Sequence, residues 1–489
     1  MADLTVTALD PLTSNRIRYN IGAKNWAPTA EDGHGWVPDL AGTGSGTVRL
    51  PEAARIDVLL LGDGFESEAD FHWKLDEWIA TFFKVEVYER FRGAFRIRAL
   101  FNHSDEPASK ERRRSYYKVA INEAGDILRD PWWQEDDEYG VQFRDLLWDS
   151  IRAFGDANTA RYPDDLSDSG VIHNPLAGLF SHLVVMMLVR RVKPDPPNRP
   201  SMSPIGMTRR VDLTTMISAG VNVGFGENSL HEFGHAFAYL EDEYIQKRGR
   251  ESTIHRNPSP PSVFDLSNLS FEKQIDRVPW LHLSPWGDIP RQAAGVEASP
   301  IVGWLWRGGE HDGGVWHSEY QCLMNGRHQN YAYTPVAASD PTAHPPTSCD
   351  RFRDGGADLR WRNPPTYCLW CQEIVVIRTL EKTGQLDTTL DDPSTDIRGR
   401  DLYRKWVAHG RAHYWESFAV ADRIRERESW YANPSLRPGD ELCQLRRADG
   451  TYLRLDASPL YEVFDAKPVA ATPPGPRDDD AEHLLVVTA

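Results

Sequence analysis

The run Ile56-Asp-Val-Leu-Leu-Leu-Gly62, followed by Asp63-Gly64 and then Ser67-Glu-Ala-Asp70, decides the fold class. An Ile, a Val and three Leu closed off by Gly read as a short strand buried on both faces. Asp63-Gly64 turns the chain, and Ser67 caps a helix with acids in its first turn and apolar residues through Phe83. Residues 95–101 and 181–190 read as two further strands, and residues 137–154 as a further helix. Strand and helix in alternation predict an α/β layered domain.

Working outward, residues 1–50 are rich in Gly, Thr, Asp and Pro and form an extended lead-in with two or three edge strands. Residues 51–385 form the principal domain. Residues 386–465 form a helical C-terminal extension, helical over 401–431 with alternating charge on its exposed face. Residues 371–382 also read as helix. Residues 194–204, 257–262 and 335–365 are Pro-rich loops, and 466–489 is a loose tail with an Asp run. No internal repeat is present.

The 489 residues carry 55 Lys+Arg against 72 Asp+Glu, a net charge of −17. That balance excludes a general nucleic-acid or anionic-membrane binder, each of which needs a basic face. No apolar stretch reaches the roughly 18 to 20 residues of a membrane span. The start has neither a basic region nor an apolar core, so no signal peptide is expected. The default compartment is cytoplasmic, with secretion the expectation if a leader has been removed. The 17 Trp are read chiefly as bulky packing residues.

The chemistry sits in Leu230-His231-Glu232-Phe-Gly-His235-Ala-Phe-Ala-Tyr-Leu-Glu241-Asp242-Glu243-Tyr244. Residues four apart share one helical face, so His231 and His235 can ligate one metal ion. Zn²⁺ suits two imidazoles, and a third protein ligand leaves one position open for water. Glu232 stands where it can take that water's proton as general base.

The third ligand is less direct. On an unbroken helix Asp242 lies about 20° round from His231 but roughly 16 Å along the axis, out of reach. Glu241, Asp242 or Glu243 can coordinate only if the chain turns soon after His235, and no Gly or Pro up to Tyr244 forces that turn. The alternative is a distant segment, residues 308–320, which offers Glu310, His311, His317 and Glu319.

The His231-Glu-Phe-Gly-His235 motif, Leu240 and Asp242-Glu243-Tyr244 together resemble the zinc metallopeptidase family named for bacterial IgA peptidases. The segment from Arg55 to Phe65 looks like its opening strand, and residues 91–102 like its next. Cys322-Leu-Met324 and Cys368-Leu-Trp-Cys371 look like its downstream segments. The resemblance spans about residues 55–380. It implies a metzincin-like zinc endopeptidase, with a twisted mixed sheet and an active-site helix, acting on protein or peptide substrates. It implies His231, His235 and Asp242 as zinc ligands, Glu232 as base, and Met324 beneath the metal. Members often carry Gly where this chain has Ala238 or Tyr239. Hydrolysis of another amide and a retired scaffold used for binding are the rival functions.

Other features carry further expectations. Tyr320 and His317 are candidate oxyanion stabilisers. Cys368 and Cys371, with Cys322 and Cys349, are a candidate four-cysteine zinc site, weighed against buried thiols or one disulfide at Cys322. Residues 387–396 read as a solvated acidic linker, and Lys110-Glu-Arg-Arg-Arg114 as a solvated basic face.

Overall fold

The computed structural model describes residues 4–9, 16–21, 35–41, 46–121, 127, 138–156, 183–191, 206–211, 214–220, 225–243, 245–251, 266–270, 278–284, 287, 289, 302–307, 310–313, 316–319, 322–325, 366–386 and 399–431. The three Pro-rich loops, the acidic linker and the C-terminal tail read from the sequence lie outside them.

Two antiparallel hairpins come first, β1 (Leu4–Leu9) with β2 (Arg16–Ile21), and β3 (Trp36–Pro38) with β4 (Thr47–Arg49). The apolar run that begins at Ile56 is β5 (Ile56–Asp63), buried along its whole length. Ser67 accepts the Asp70 N–H at 3.2 Å and starts α1 (Glu68–Phe82). After α2 (Glu86–Arg90) come β6 (Phe95–Leu100), α3 (Glu138–Asp156) and β7 (Leu183–Val189). β8 (Gly206–Val211) and β9 (Thr214–Gly220) follow. These complete a five-stranded sheet in the order β6-β5-β7-β9-β8, parallel except for β8. The molecule is thus mixed α/β.

From the sheet the chain enters α4 (Phe225–Ala238), which carries His231 and His235. β10 (Ile245–Glu251) pairs with β12 (Glu310–Gly313), and β11 (Val302–Arg307) with β13 (Trp316–Glu319). α5 (Leu369–Lys382) is buried over nearly all its length. The segment read as one helix over 401–431 is three: α6 (Arg400–His409), α7 (Arg411–Ser417) and α8 (Val420–Tyr431). The breaks fall at Gly410 and at Ala419, which takes a φ of +47°. Charge alternation marks an exposed helical face but does not register such corners. The corners let Leu402, Trp406, Tyr414, Phe418 and Ile424 join the core that also holds Val37, Val58 and Met186.

Two contacts fix the sheet. Arg96 grips Asp57 with two hydrogen bonds of 2.8 Å between the first two strands of the pair β5 and β6. At the other end of β5, buried Asp63 accepts the N–H groups of Tyr117 at 2.7 Å and Val119 at 3.0 Å. Trp78, Trp280, Trp370 and Trp406 are fully buried, in keeping with a packing role. Among the described residues, no helix is long and apolar enough to cross a membrane.

Gly64 follows β5 at φ +79°, and a Cβ there would meet the Arg190 carbonyl at 2.2 Å and the Ala108 nitrogen at 2.5 Å. Gly384, at φ +68°, has open space around it. Gly384→Ala is expected to cost about 1 kcal/mol, the left-handed term alone, whereas Gly64→Ala adds backbone collisions and a loss of about 3 kcal/mol or more. Equal losses on urea unfolding would refute this account of the turn.

Candidate metal centre

Helix α4 carries two opposed stripes. Phe233 and Phe237 lie four apart on one face, and His231 and His235 four apart on the other, since two residues along a helix is a rotation of about 200°. The phenylalanines pack into an aromatic cluster: Phe233 stands 5.1 Å from Phe82 and 5.5 Å from Tyr88, both edge-on, and Phe237 5.7 Å from Phe95. Burying that stripe aims the histidines away from the first strands, toward residues 240–243 and 322–324.

Two backbone carbonyls orient the imidazoles. His231 Nδ1 donates to Leu323 O at 2.9 Å, and His235 Nδ1 donates to Leu240 O. A carbonyl only accepts, so Nδ1 is the donor in each ring and both Nε2 atoms are acceptors in the neutral state. Those Nε2 atoms are 3.1 Å apart. Asp242 Oδ1 stands 2.9 Å from the first and 3.1 Å from the second. Three acceptors therefore face one point, an arrangement that only a proton or a cation reconciles. His231, His235 and Asp242 form one of two groups among the described residues that could hold a metal ion. Glu232 is buried beside the histidines, at 7 % exposure.

The turn that brings Asp242 here is made without Gly or Pro. Tyr239, directly after α4, adopts φ +58°. Leu240 N–H returns to Gly234 O at 3.2 Å, and the Asn268 side chain clamps Glu241 on both backbone groups, each at 2.8 Å. The Tyr239 ring lies 55 % exposed, with Arg378 over it at 4.9 Å and Lys382 at 5.5 Å.

The segment Leu323–Asn325 forms a single 3₁₀ turn beneath α4. Gly234 is what lets it approach: a Cβ there would lie 3.0 Å from Met324 Sδ and 3.1 Å from the Tyr367 ring. Tyr367 is held in turn, donating to Leu230 O at 2.5 Å and accepting from Tyr88 at 3.1 Å.

Among the other residues considered as ligands, Glu243, His317 and Glu319 face other partners. Glu243 belongs to the second group that could hold a metal ion, with Cys322, Cys368 and Cys371. Burial pushes the Glu243 carboxyl and the Cys322 and Cys371 thiols well up; at Cys368 the hydrogen bonds to its sulfur outweigh burial and lower it. His317 faces Glu243, with Nδ1 3.5 Å from Oε2. Glu319 pairs with Arg427 of α8 and accepts Leu369 N–H at 3.1 Å. Glu310 and His311 lie on β12, and Tyr320 and Tyr244 fall outside the described residues. The three cysteines are free thiols, and the fourth member of their group is Glu243 rather than Cys349, which also lies outside the described residues. Asp242 faces the histidines and its neighbour Glu243 the cysteines, so the two side chains leave the backbone on opposite sides.

No protein-family model matches the chain, and no curated protein matches it either.

Without metal, the His235–Asp242 pair holds a proton. Burial alone would lower the His235 pKa, but Asp242, Glu232 and the Leu240 carbonyl hold it up at about 10. Burial likewise opposes ionisation of Asp242, yet His235 and His231 hold its carboxyl far below the usual range. A raised histidine stabilises the fold fully below its unfolded pKa of about 6.5, and that contribution fades as the pH rises through about 10. Chelator-treated wild type is thus expected to exceed Asp242→Asn in stability most clearly at about pH 5 to 6.5, with the gap narrowing as the pH rises toward about 10. A gap in urea unfolding that stays constant across that range would contradict the pairing.

Proposed function

We propose that this chain is a zinc-dependent, metzincin-like peptidase that hydrolyses peptide bonds in protein or peptide substrates. The observation that carries the reading is the convergence of His231 Nε2, His235 Nε2 and Asp242 Oδ1, with spacings of 2.9 to 3.1 Å, beside the carboxylate of Glu232. Two imidazoles and one carboxylate match the ligand type of catalytic zinc sites, which leave a coordination position open. The carbonyl bonds at both Nδ1 atoms supply the tautomer such ligands need. Zinc held there would act as a Lewis acid toward the scissile carbonyl and acidify water.

The chain's own residues do the rest. Glu232 accepts the proton of the attacking water on its carboxylate and delivers it to the leaving amine nitrogen. Its place one residue after His231 puts the base on the same rigid helix as two ligands, so base and metal keep one geometry. The buried phenylalanine stripe opposite holds that helix still, and preorganisation of this kind lowers the cost of reaching the transition state. Asp242, an anion between two imidazoles, neutralises part of the charge a divalent cation brings.

Two measurements test this together. His235→Ala and Asp242→Ala should each lose one zinc relative to wild type by elemental analysis. Glu232→Gln should keep that zinc while losing about 10²- to 10⁴-fold in kcat/KM on a peptide library. Equal cleavage by wild type and Glu232→Gln would assign the activity to a contaminating protease and remove the support for a peptidase. Zinc binding without cleavage of any peptide would favour the retired scaffold.

A further inference from the structure

The geometry points to a second, structural metal site in which Glu243, Cys322, Cys368 and Cys371 hold one thiophilic divalent ion of the zinc class. It sits behind the first site and stands independently of the peptidase reading. All four residues are fully buried, and their ligand atoms lie within 4.8 Å of one another. Zn–S bonds of about 2.3 Å set the edge of a tetrahedral site at about 3.8 Å, so the group suits one ion and is too small for a polynuclear cluster. Three sulfurs and a carboxylate are a soft donor set that favours zinc over magnesium or calcium.

Backbone donors face two of the three sulfurs. Cys322 Sγ accepts backbone N–H groups from Cys368 at 3.2 Å and Met324 at 3.4 Å. Cys368 Sγ accepts the Cys371 N–H at 3.3 Å, capping α5, with Ser318 Oγ also 3.3 Å away. Donors aimed at sulfur stabilise S⁻ and leave its remaining lone pairs for a cation. Glu243 Oε1 stands 3.1 Å from Cys371 Sγ and takes the Asn268 amide at 3.1 Å. Its Oε2 is fully buried and makes no hydrogen bond, with His317 Nδ1 3.5 Å away. A buried carboxylate of this kind ordinarily demands a partner.

The site's position gives it a purpose. Glu243 follows Asp242 directly, and Cys322 directly precedes Leu323, whose carbonyl orients His231. Glu243 N–H also bonds Met324 O at 2.8 Å, tying the two segments together. One ion on Glu243 and the cysteines therefore pins both segments that shape the first site.

The test uses His235→Ala, which disables the first site. It should retain one ion per chain. Loaded with Co²⁺ it should show a sulfur-to-cobalt charge-transfer band that is absent in His235→Ala/Cys371→Ser. Should that double variant fail to fold, thiol labelling decides the matter in a His235→Ala/Cys349→Ser/Cys443→Ser background. Three thiols should then react only after a chelator is added, in step with release of the ion. A folded, metal-free His235→Ala protein, cobalt bound without the charge-transfer band, or labelling indifferent to chelator would each overturn the assignment. A wild type with one ion, kept in His235→Ala along with the band, would uphold this site while removing the first.

Discussion

The reversal of the backbone at Tyr239 is the constraint on which the centre of this molecule depends. Were α4 to run on, Asp242 would lie about 10 Å along the axis from His235, and Glu243 would never meet the cysteines. A non-glycine residue in the left-handed region costs roughly 1 to 2 kcal/mol, so something must hold it. Asn268 does so by bonding both the N–H and the carbonyl of Glu241, and Leu240 N–H does so by returning to Gly234. The aromatic ring itself contributes, lying under Arg378 and Lys382 of α5. A tyrosine can therefore stand where glycine would be the conformationally cheaper choice, because its side chain recovers part of the strain in contacts with cations.

Given that turn, the rest of the fold works as a frame. The parallel strands β6, β5, β7 and β9 form a platform, and α4 follows from its β9 side. The aromatic cluster around Phe82, Tyr88, Phe233 and Phe237 then fixes the rotation of α4. The C-terminal helices close the frame from the other direction. Arg427 of α8 bonds Glu319 and also reaches the Tyr367 carbonyl at 2.6 Å, while Tyr367 buttresses Leu230, one residue before His231. Burying an arginine is tolerable here because its guanidinium meets a carboxylate and a carbonyl at once.

Much of this was legible in the sequence, and the limits follow from physics. The apolar run at β5, its glycine turn and the capped helix after it are local signals, and each falls within a residue or two of the expected bounds. The i, i+4 histidines are local as well. Asp242 is different: geometry along an unbroken helix rules it out, and only resemblance singled it from Glu241, Glu243 and the 308–320 segment. The turn at Tyr239 is stabilised by Asn268, Arg378 and Lys382, all distant in sequence, so no local pattern announces it. The corners at Gly410 and Ala419 are set by packing against the core, which a charge pattern on the exposed face does not report. Sequence alone offers Cys349 as a candidate fourth member of the cysteine group, against buried thiols or one disulfide at Cys322, because like residues suggest one another. The structure supplies a carboxylate from a segment 79 residues before Cys322.

The histidine group and the cysteine group share a backbone, and that sharing has a direction. Asp242 and Glu243 are neighbours, and so are Cys322 and Leu323, yet one residue of each pair serves one side and its neighbour the other. Residues of the histidine group border the accessible side, with His235 and Asp242 partly exposed at 19 % and 14 % of their side chains. Those of the cysteine group are wholly enclosed. Disturbance at the exposed group costs a proton or an ion but leaves the segments tied by Glu243 N–H to Met324 O. Disturbance at the enclosed group removes the side-chain contacts of both segments, and so loosens the carbonyl that orients His231 and the turn that delivers Asp242. The enclosed group is in that sense upstream: the geometry of the outer three residues is inherited from the packing of the inner four.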